Sequence, residues 1–307
     1  MIGAVERVGS RHGRLPRRQA GVGLLALLIL VCVGLSGCSD QADPSASATP
    51  ATSTPTVQGD VNGLVDIGGG RRIYVRCTGT GSPTVILEGG DEDTSASYTF
   101  AVPSLAKVTR TCVYDRANLG KSDSAPGPRG LHELVADLAH AIWAADIPGP
   151  YVLVGTSGGG YITAGYAFAD PRQVTGMVFV EVPSPFLNPP APIVRDTRWN
   201  SPVNIEKRDY LQVEKDAWSA RERVGDIPVT VISNEYAAEE IAAAEFASER
   251  RGMRSNVEDQ RGWLIVSPRA KQLVVHTGHA VEEADPTLVT NAILEVVQAA
   301  RTAARSG

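Results

Sequence analysis

The sequence predicts an α/β fold: a mainly parallel sheet covered by helices on both faces, with an inserted lid. Three observations predict it. Short apolar runs recur at residues 84–87, 111–114, 151–154, 177–180, 229–232 and 272–275, the signature of strands buried on both faces. Helical patterns lie between most of them, as crossover connections of a parallel sheet require. One interval, 183–226, is too long for a plain connection.

The elements follow in order. Residues 64–67 and 72–76 flank Gly68-Gly69-Gly70 and read as a hairpin. The buried strand 84–87 leads into Glu88-Gly89-Gly90-Asp91, and strand 111–114 follows. Leu134, Leu138 and Ile142 recur at four-residue intervals and predict a helix over 131–145. Strand 151–154 runs into Gly155-Thr156-Ser157-Gly158-Gly159, with a helix expected over 161–169. Strand 177–180 ends beside Glu181. The interval 183–226 is rich in charge, proline and aromatic residues, among them Phe186, Trp199, Tyr210 and Trp218, which suits a lid above the strand ends. After strand 229–232 a helical run covers 236–250. The last strand, 272–275, is followed by His276-Thr277-Gly278-His279. The final helix, 287–300, has Asp285 as its cap and Pro286 at its first position.

The ends and the composition bound the rest. Residues 1–37 read as a lipoprotein signal peptide, with five arginines ahead of an apolar stretch too short for a membrane span. It ends in Leu35-Ser36-Gly37-Cys38, which looks like a bacterial lipobox and would make Cys38 the acylated mature N-terminus, carrying palmitate. Residues 38–57 are rich in Ser, Thr and Pro and read as a disordered tether; residues 58–307 form one domain. The protein is therefore expected to be exported and lipid-anchored to the outer face of the bacterial cell membrane. Removal of the signal takes five arginines and Glu6, so the formal charge falls from −5 to −9. Such an acidic chain argues against nucleic acid as a partner and leaves membrane attachment to the lipid on Cys38. Cys77 and Cys112 remain as a matched pair in an exported protein, which predicts a disulfide. No His/Cys/Asp cluster has metal-ligand spacing, and neither a metal nor an organic cofactor is expected.

Gly155-Thr156-Ser157-Gly158-Gly159 between a strand and a helix is a G-x-S-x-G turn, which would hold Ser157 in a strained backbone conformation as a nucleophile. A serine hydroxyl needs a general base. His12 falls in the signal, and His132 and His140 lie on the helix before the turn, on its outer surface. His276 belongs to a strand end, so His279, on the loop after a glycine, is the base. The carboxylate that orients it is Glu181, directly off a buried strand, with Glu235 after the next strand as the alternative. The oxyanion of a tetrahedral intermediate would take the amide of Gly158 and that of Asp91, with Gly90 next best.

Glu88-Gly89-Gly90, Tyr114-Asp115-Arg116-Ala117-Asn118-Leu119-Gly120-Lys121-Ser122-Asp123, the turn at Ser157, and Thr277-Gly278-His279 with Pro286 seven residues on are together similar to the motifs of the α/β-hydrolase superfamily. The resemblance spans about residues 62–302 and implies the α/β-hydrolase fold with a small helical lid at 183–226. It also implies a carboxylic ester hydrolase, esterase- or lipase-like, acting on a small-molecule ester through an acyl-enzyme. An amidase or peptidase on the same scaffold, or a catalytically decayed binding lipoprotein, is the alternative. Asp115 and Arg116 read as an ion pair bracing their loop. Asn118 stands where the family often has glycine, and Thr156 where it commonly has histidine. Asp91-Glu92-Asp93 puts three acids beside the expected oxyanion site, which would disfavour anionic substrates if they turn inward.

Overall fold

The computed structural model describes residues 59–186, 198–220 and 224–306. The expected signal peptide (1–37), the tether (38–57) with Cys38, and lid residues 187–197 and 221–223 lie outside the described residues.

Eight strands form one sheet in the order β1-β2-β4-β3-β5-β6-β7-β8. β1 (Val61–Asp66) and β2 (Arg72–Thr78) are the expected hairpin, and β2 runs antiparallel to β4 (Thr111–Tyr114). From β4 onward every pairing is parallel: β3 (Thr84–Glu88), β5 (Tyr151–Thr156), β6 (Val174–Val180), β7 (Val229–Asn234) and β8 (Ala270–Val275). Cys77 and Cys112 face each other in the β2–β4 register and are disulfide-bonded.

Alternation along the central strands divides the core into two layers, because successive side chains leave opposite faces. Ile86, Leu153, Met177 and Phe179 pack with Leu134 and Leu138 of α2 (Leu131–Ala144) and Ile162 of α3 (Gly159–Ala169). Val85, Leu87, Val152, Val154, Val178 and Val180 face the other way. They meet Val102 and Leu105 of the single-turn α1 (Val102–Leu105) and Val289, Ile293, Val296 and Val297 of α8 (Pro286–Ser306). Both faces are thus covered, which is why these strands read as unbroken apolar runs. Asp285 Oδ1 accepts the amide of Leu288 at 2.9 Å, so the expected cap is in place.

One reading changes. The helical run expected over 236–250 is broken into α5 (Ala238–Ala243) and α6 (Ala247–Gln260), with extended backbone at Ala244 and Phe246 between them. In the described part of the lid, one helix, α4 (Tyr210–Ser219), packs Val213 and Ala217 inward. The remaining helix, α7 (Val281–Ala284), is one turn ahead of α8.

The chain leaves β3 for β4 on one side and returns to β5 on the other. Such a reversal opens a crevice beyond the carboxyl ends of the two strands. Gly89, Gly90 and Asp91 lie at the end of β3, and Ser157 lies at the end of β5.

Candidate active site

Ser157 follows the last residue of β5 with φ 46°, in the left-handed region that a side chain disfavours. Its neighbours explain how the turn is tolerated. A Cβ on Gly155 would stand 2.6 Å from Gly160 Cα, and one on Gly159 would stand 2.1 Å from the carbonyl oxygen of Gly89. The turn closes only with glycine at both positions, and the amide of Ser157 is tied to Val180 O at 2.9 Å.

His279 reaches this hydroxyl from the far side. Its Nε2 is 3.3 Å from Ser157 Oγ, and its Nδ1 is 3.2 Å from Glu181 Oε2. The loop that carries it is pinned by one buried side chain: Asn234 Oδ1 accepts the amides of Thr277 at 2.7 Å and Gly278 at 2.9 Å. Gly278 supplies the positive φ of 87° that turns the loop toward Ser157.

Glu181 is buried, directly beyond β6, and also has a positive φ, 51°. A carboxylate there needs donors. It receives the amide of Asn234 at 2.5 Å, Gln260 Nε2 at 2.9 Å, Asn256 Nδ2 at 3.0 Å and Tyr236 OH at 3.3 Å. The hydrogen bond that His279 donates to Glu181 raises the pKa of His279 above the ordinary histidine value; burial opposes this, and the charge of Glu181 adds to it. Glu235 is elsewhere: its side chain is exposed and lies 3.7 Å from His276, not beside His279. His132 and His140 are exposed on α2.

On the opposite wall Gly90 passes close to Ser157; a Cβ on it would stand 3.4 Å from Ser157 Cβ. The amides of Gly158 and Asp91 make no hydrogen bond among the described residues. Gly90 differs, because its amide donates to Asp93 Oδ2 at 2.9 Å and is already spent.

The three acids of this loop do not act alike. Asp93 folds back onto Gly90. Glu92 takes a positive φ of 65° and donates its amide to Glu206. Asp91 does turn inward, over Gly158, where a Cβ would meet its Oδ1 at 2.0 Å, and there it forms an ion pair with Arg208. Two further acids act on the charges of this site. Burial first, then Asp259 and Asp91, hold Glu214 of α4 up at about 7, and burial raises Glu282.

Asp115 and Arg116 are not the ion pair expected of them. Asp115 accepts the amides of Ser95 at 2.7 Å and Lys121 at 2.8 Å. Arg116 pairs with Glu88 at 2.5 Å and with Glu206 at 2.7 Å. Asn118 has φ 73°, the left-handed conformation that asparagine tolerates in place of glycine. Thr156, where histidine is common, shares a 2.7 Å hydrogen bond with Tyr98 OH. Glu206, Arg208, Asn234, Asn256 and Gln260 were not singled out in the sequence. The one signal for Glu206 was the arginine of the Tyr-Asp-Arg segment, which needs a carboxylate if it is buried.

A family model described as "Alpha/beta hydrolase family" matches residues 79–306. A Hormonema carpetanum protein named "Probable transporter efuK" is 26% identical over 298 residues, covering 77% of this chain and 42% of its own length. The chain spans less than half of the first curated relatives it matches, 42% and 26% of their lengths. Among solved structures, a thermophilic esterase from Thermogutta terrifontis is similar at TM-score 0.55 and 20% identity, covering 79% of this chain and 99% of that one. An esterase from Exiguobacterium antarcticum is similar at TM-score 0.57 and 14% identity, covering 78% and 100%.

Proposed function

The chain belongs to the alpha/beta hydrolase family, and on that premise we propose that it is a serine hydrolase that cleaves a small carboxylic ester through an acyl-enzyme. One observation carries the reading: Ser157, His279 and Glu181 form a continuous chain of contacts of 3.3 Å and 3.2 Å at the crevice of the sheet.

Ser157 Oγ attacks the ester carbonyl while His279 Nε2 takes its proton. Glu181 accepts from Nδ1, so the tautomer with Nε2 free to act as base is favoured, and the imidazolium that forms is stabilised. The carbonyl oxygen becomes an oxyanion that the amides of Gly158 and Asp91 receive. His279 returns the proton to the leaving alcohol oxygen, the C–O bond breaks, and the acyl group stays on Ser157. Water then attacks the acyl carbon as His279 takes its proton; the second tetrahedral intermediate collapses with cleavage of the C–Oγ bond, His279 returns the proton to Ser157 Oγ, and the acid is released. Asp91 beside Arg208 bears on the rival reading of a decayed binding protein, since the acid that turns over Gly158 is paired with a buried arginine. The acids of this site disfavour anionic substrates.

A fluorophosphonate probe is expected to label the mature protein, and Ser157→Ala to abolish the labelling. Labelling that survives the substitution sinks the assignment. We further propose that the enzyme is exported and held at the outer face of the membrane by lipid on Cys38. Labelled palmitate should enter the wild type and not Cys38→Ala; equal incorporation in both would refute the anchor.

A further inference from the structure

We infer that Glu206, from the lid, is a positioning residue for this reaction: through Arg116 and the amide of Glu92 it fixes the Gly90–Asp91 peptide that supplies an oxyanion donor. The inference rests on the serine hydrolase reading above.

All five N–H bonds of the Arg116 guanidinium are taken. Nη1 donates to Glu88 Oε1 at 2.5 Å and to Gly89 O at 2.8 Å. Nη2 donates to Gly90 O at 2.6 Å and to Glu206 Oε1 at 2.8 Å, and Nε donates to Glu206 Oε2 at 2.7 Å. The bidentate grip of Glu206 sets the plane of the guanidinium. That plane in turn sets the carbonyl of Gly90. In a trans peptide the N–H points opposite the C=O, so fixing Gly90 O also fixes the direction of the Asp91 N–H.

The other side of Asp91 is anchored by the same carboxylate. Glu206 Oε1 accepts the amide of Glu92 at 2.7 Å. One lid side chain therefore holds the residues before and after the donor. Glu206 is itself well held. Its side chain is 1% exposed, its carbonyl accepts Asn118 Nδ2 at 3.3 Å, and the neighbouring Arg129–Arg208 bridge ties this part of the lid to the body. Burial would raise its pKa, but Arg116 and Arg208 outweigh it and hold the carboxyl at about 2. Glu206 thus stays ionised wherever the enzyme is assayed, and its contribution carries no pH dependence of its own.

The test uses the full chain as wild type, Glu206→Gln and Glu206→Asp. Reactive Ser157 is counted by fluorophosphonate titration, and kcat per reactive site and KM are measured on a p-nitrophenyl ester. Inhibition by a trifluoromethyl ketone, whose adduct carries an oxyanion, is measured alongside. A displaced donor costs transition-state stabilisation only, so Glu206→Gln should lose about 10- to 100-fold in kcat with KM within about twofold. Ketone affinity should fall by a similar factor, and the pH inflection should not move. Glu206→Asp keeps the charge and should recover part of the loss; it decides by the same readouts if the glutamine variant does not fold. An unchanged kcat per reactive site, a change confined to KM, or a lower kcat with undiminished ketone affinity overturns the inference. A wild type that does not react with the fluorophosphonate overturns the serine hydrolase reading instead.

Discussion

At the scale of single residues, the proposed mechanism sets the pH dependence of the reaction at His279. Its conjugate acid is stabilised by the hydrogen bond to Glu181, so the pKa is raised, and the base form appears only at higher pH. kcat/KM should rise with pH and inflect above the ordinary histidine value of about 6.5. Glu181→Gln should move the inflection down and lower kcat by about 10²- to 10⁴-fold, while Glu235→Gln changes neither. An inflection unmoved by Glu181→Gln would assign the orienting role elsewhere. Stability has the opposite sign. A raised folded-state pKa means that the His279–Glu181 contribution is full below the unfolded value and is lost as pH rises through the folded one. The sequence carried Ser157, His279 and Glu181 because each sits where a strand hands over to a turn. It did not carry Asn256, Gln260 or Glu206, whose roles depend on contacts 75, 79 and 90 residues away along the chain.

At the scale of elements, what periodicity can register was legible, and what polar bonds hold was not. The six apolar runs became β3 to β8; those of β3 to β7 are buried on both faces, whereas β8 is the edge of the sheet and leaves Leu273 and Val274 exposed, contrary to the buried strand expected there. All of these strands but β4 are longer than their apolar runs, and two of them show why. β7 continues through Ser233 and Asn234, which are buried and bonded: Ser233 Oγ to Gln260 Oε1 at 2.9 Å, and Asn234 to the loop that carries His279. β6 begins at Val174, ahead of Gly176, where a Cβ would come within 2.5 Å of Val296 on α8. These polar and glycine positions interrupt an apolar pattern without interrupting the strand. The lid shows the reverse. Residues 198–209 have no period, yet Asn204 holds Arg208 by two bonds, to its carbonyl at 2.8 Å and from its amide at 3.1 Å, and Arg129 exchanges backbone bonds with Lys207 and Asp209 at 2.9 Å each. Side chain to backbone bonds of this kind leave little trace in hydrophobic spacing. The same reason explains the overlong helix expected over 236–250: its alanines favour a helix through Ala244, but Arg250 Nη1 donates to the carbonyls of Ala244 and Glu245 at the break between α5 and α6.

At the scale of the molecule, the sheet is built in two parts that a covalent bond joins. β1 and β2 form an antiparallel hairpin at one edge, and the parallel strands that carry the site begin at β4. Cys77 and Cys112 link the two across their one shared border, closing a loop with a sequence separation of 35. Loop-closure entropy for that length amounts to about 4 kcal/mol at most, and measured losses for native disulfides run about 2–5 kcal/mol. The double variant Cys77→Ala/Cys112→Ala should therefore unfold in urea with about 2–4 kcal/mol less stability than the oxidised wild type. Turnover below the transition should differ little. Cys112 pairs with Ile86, whereas the residues that meet Ser157 lie beyond Glu88 at the strand ends, so the bond contributes to the border of the sheet and not to the crevice. Urea curves that coincide would show that β-ladder pairing alone holds the hairpin. A fall in kcat at full folding would show that the edge of the sheet governs the loop from Glu88 to Asp91, through the Tyr114 hydroxyl that donates to Glu88.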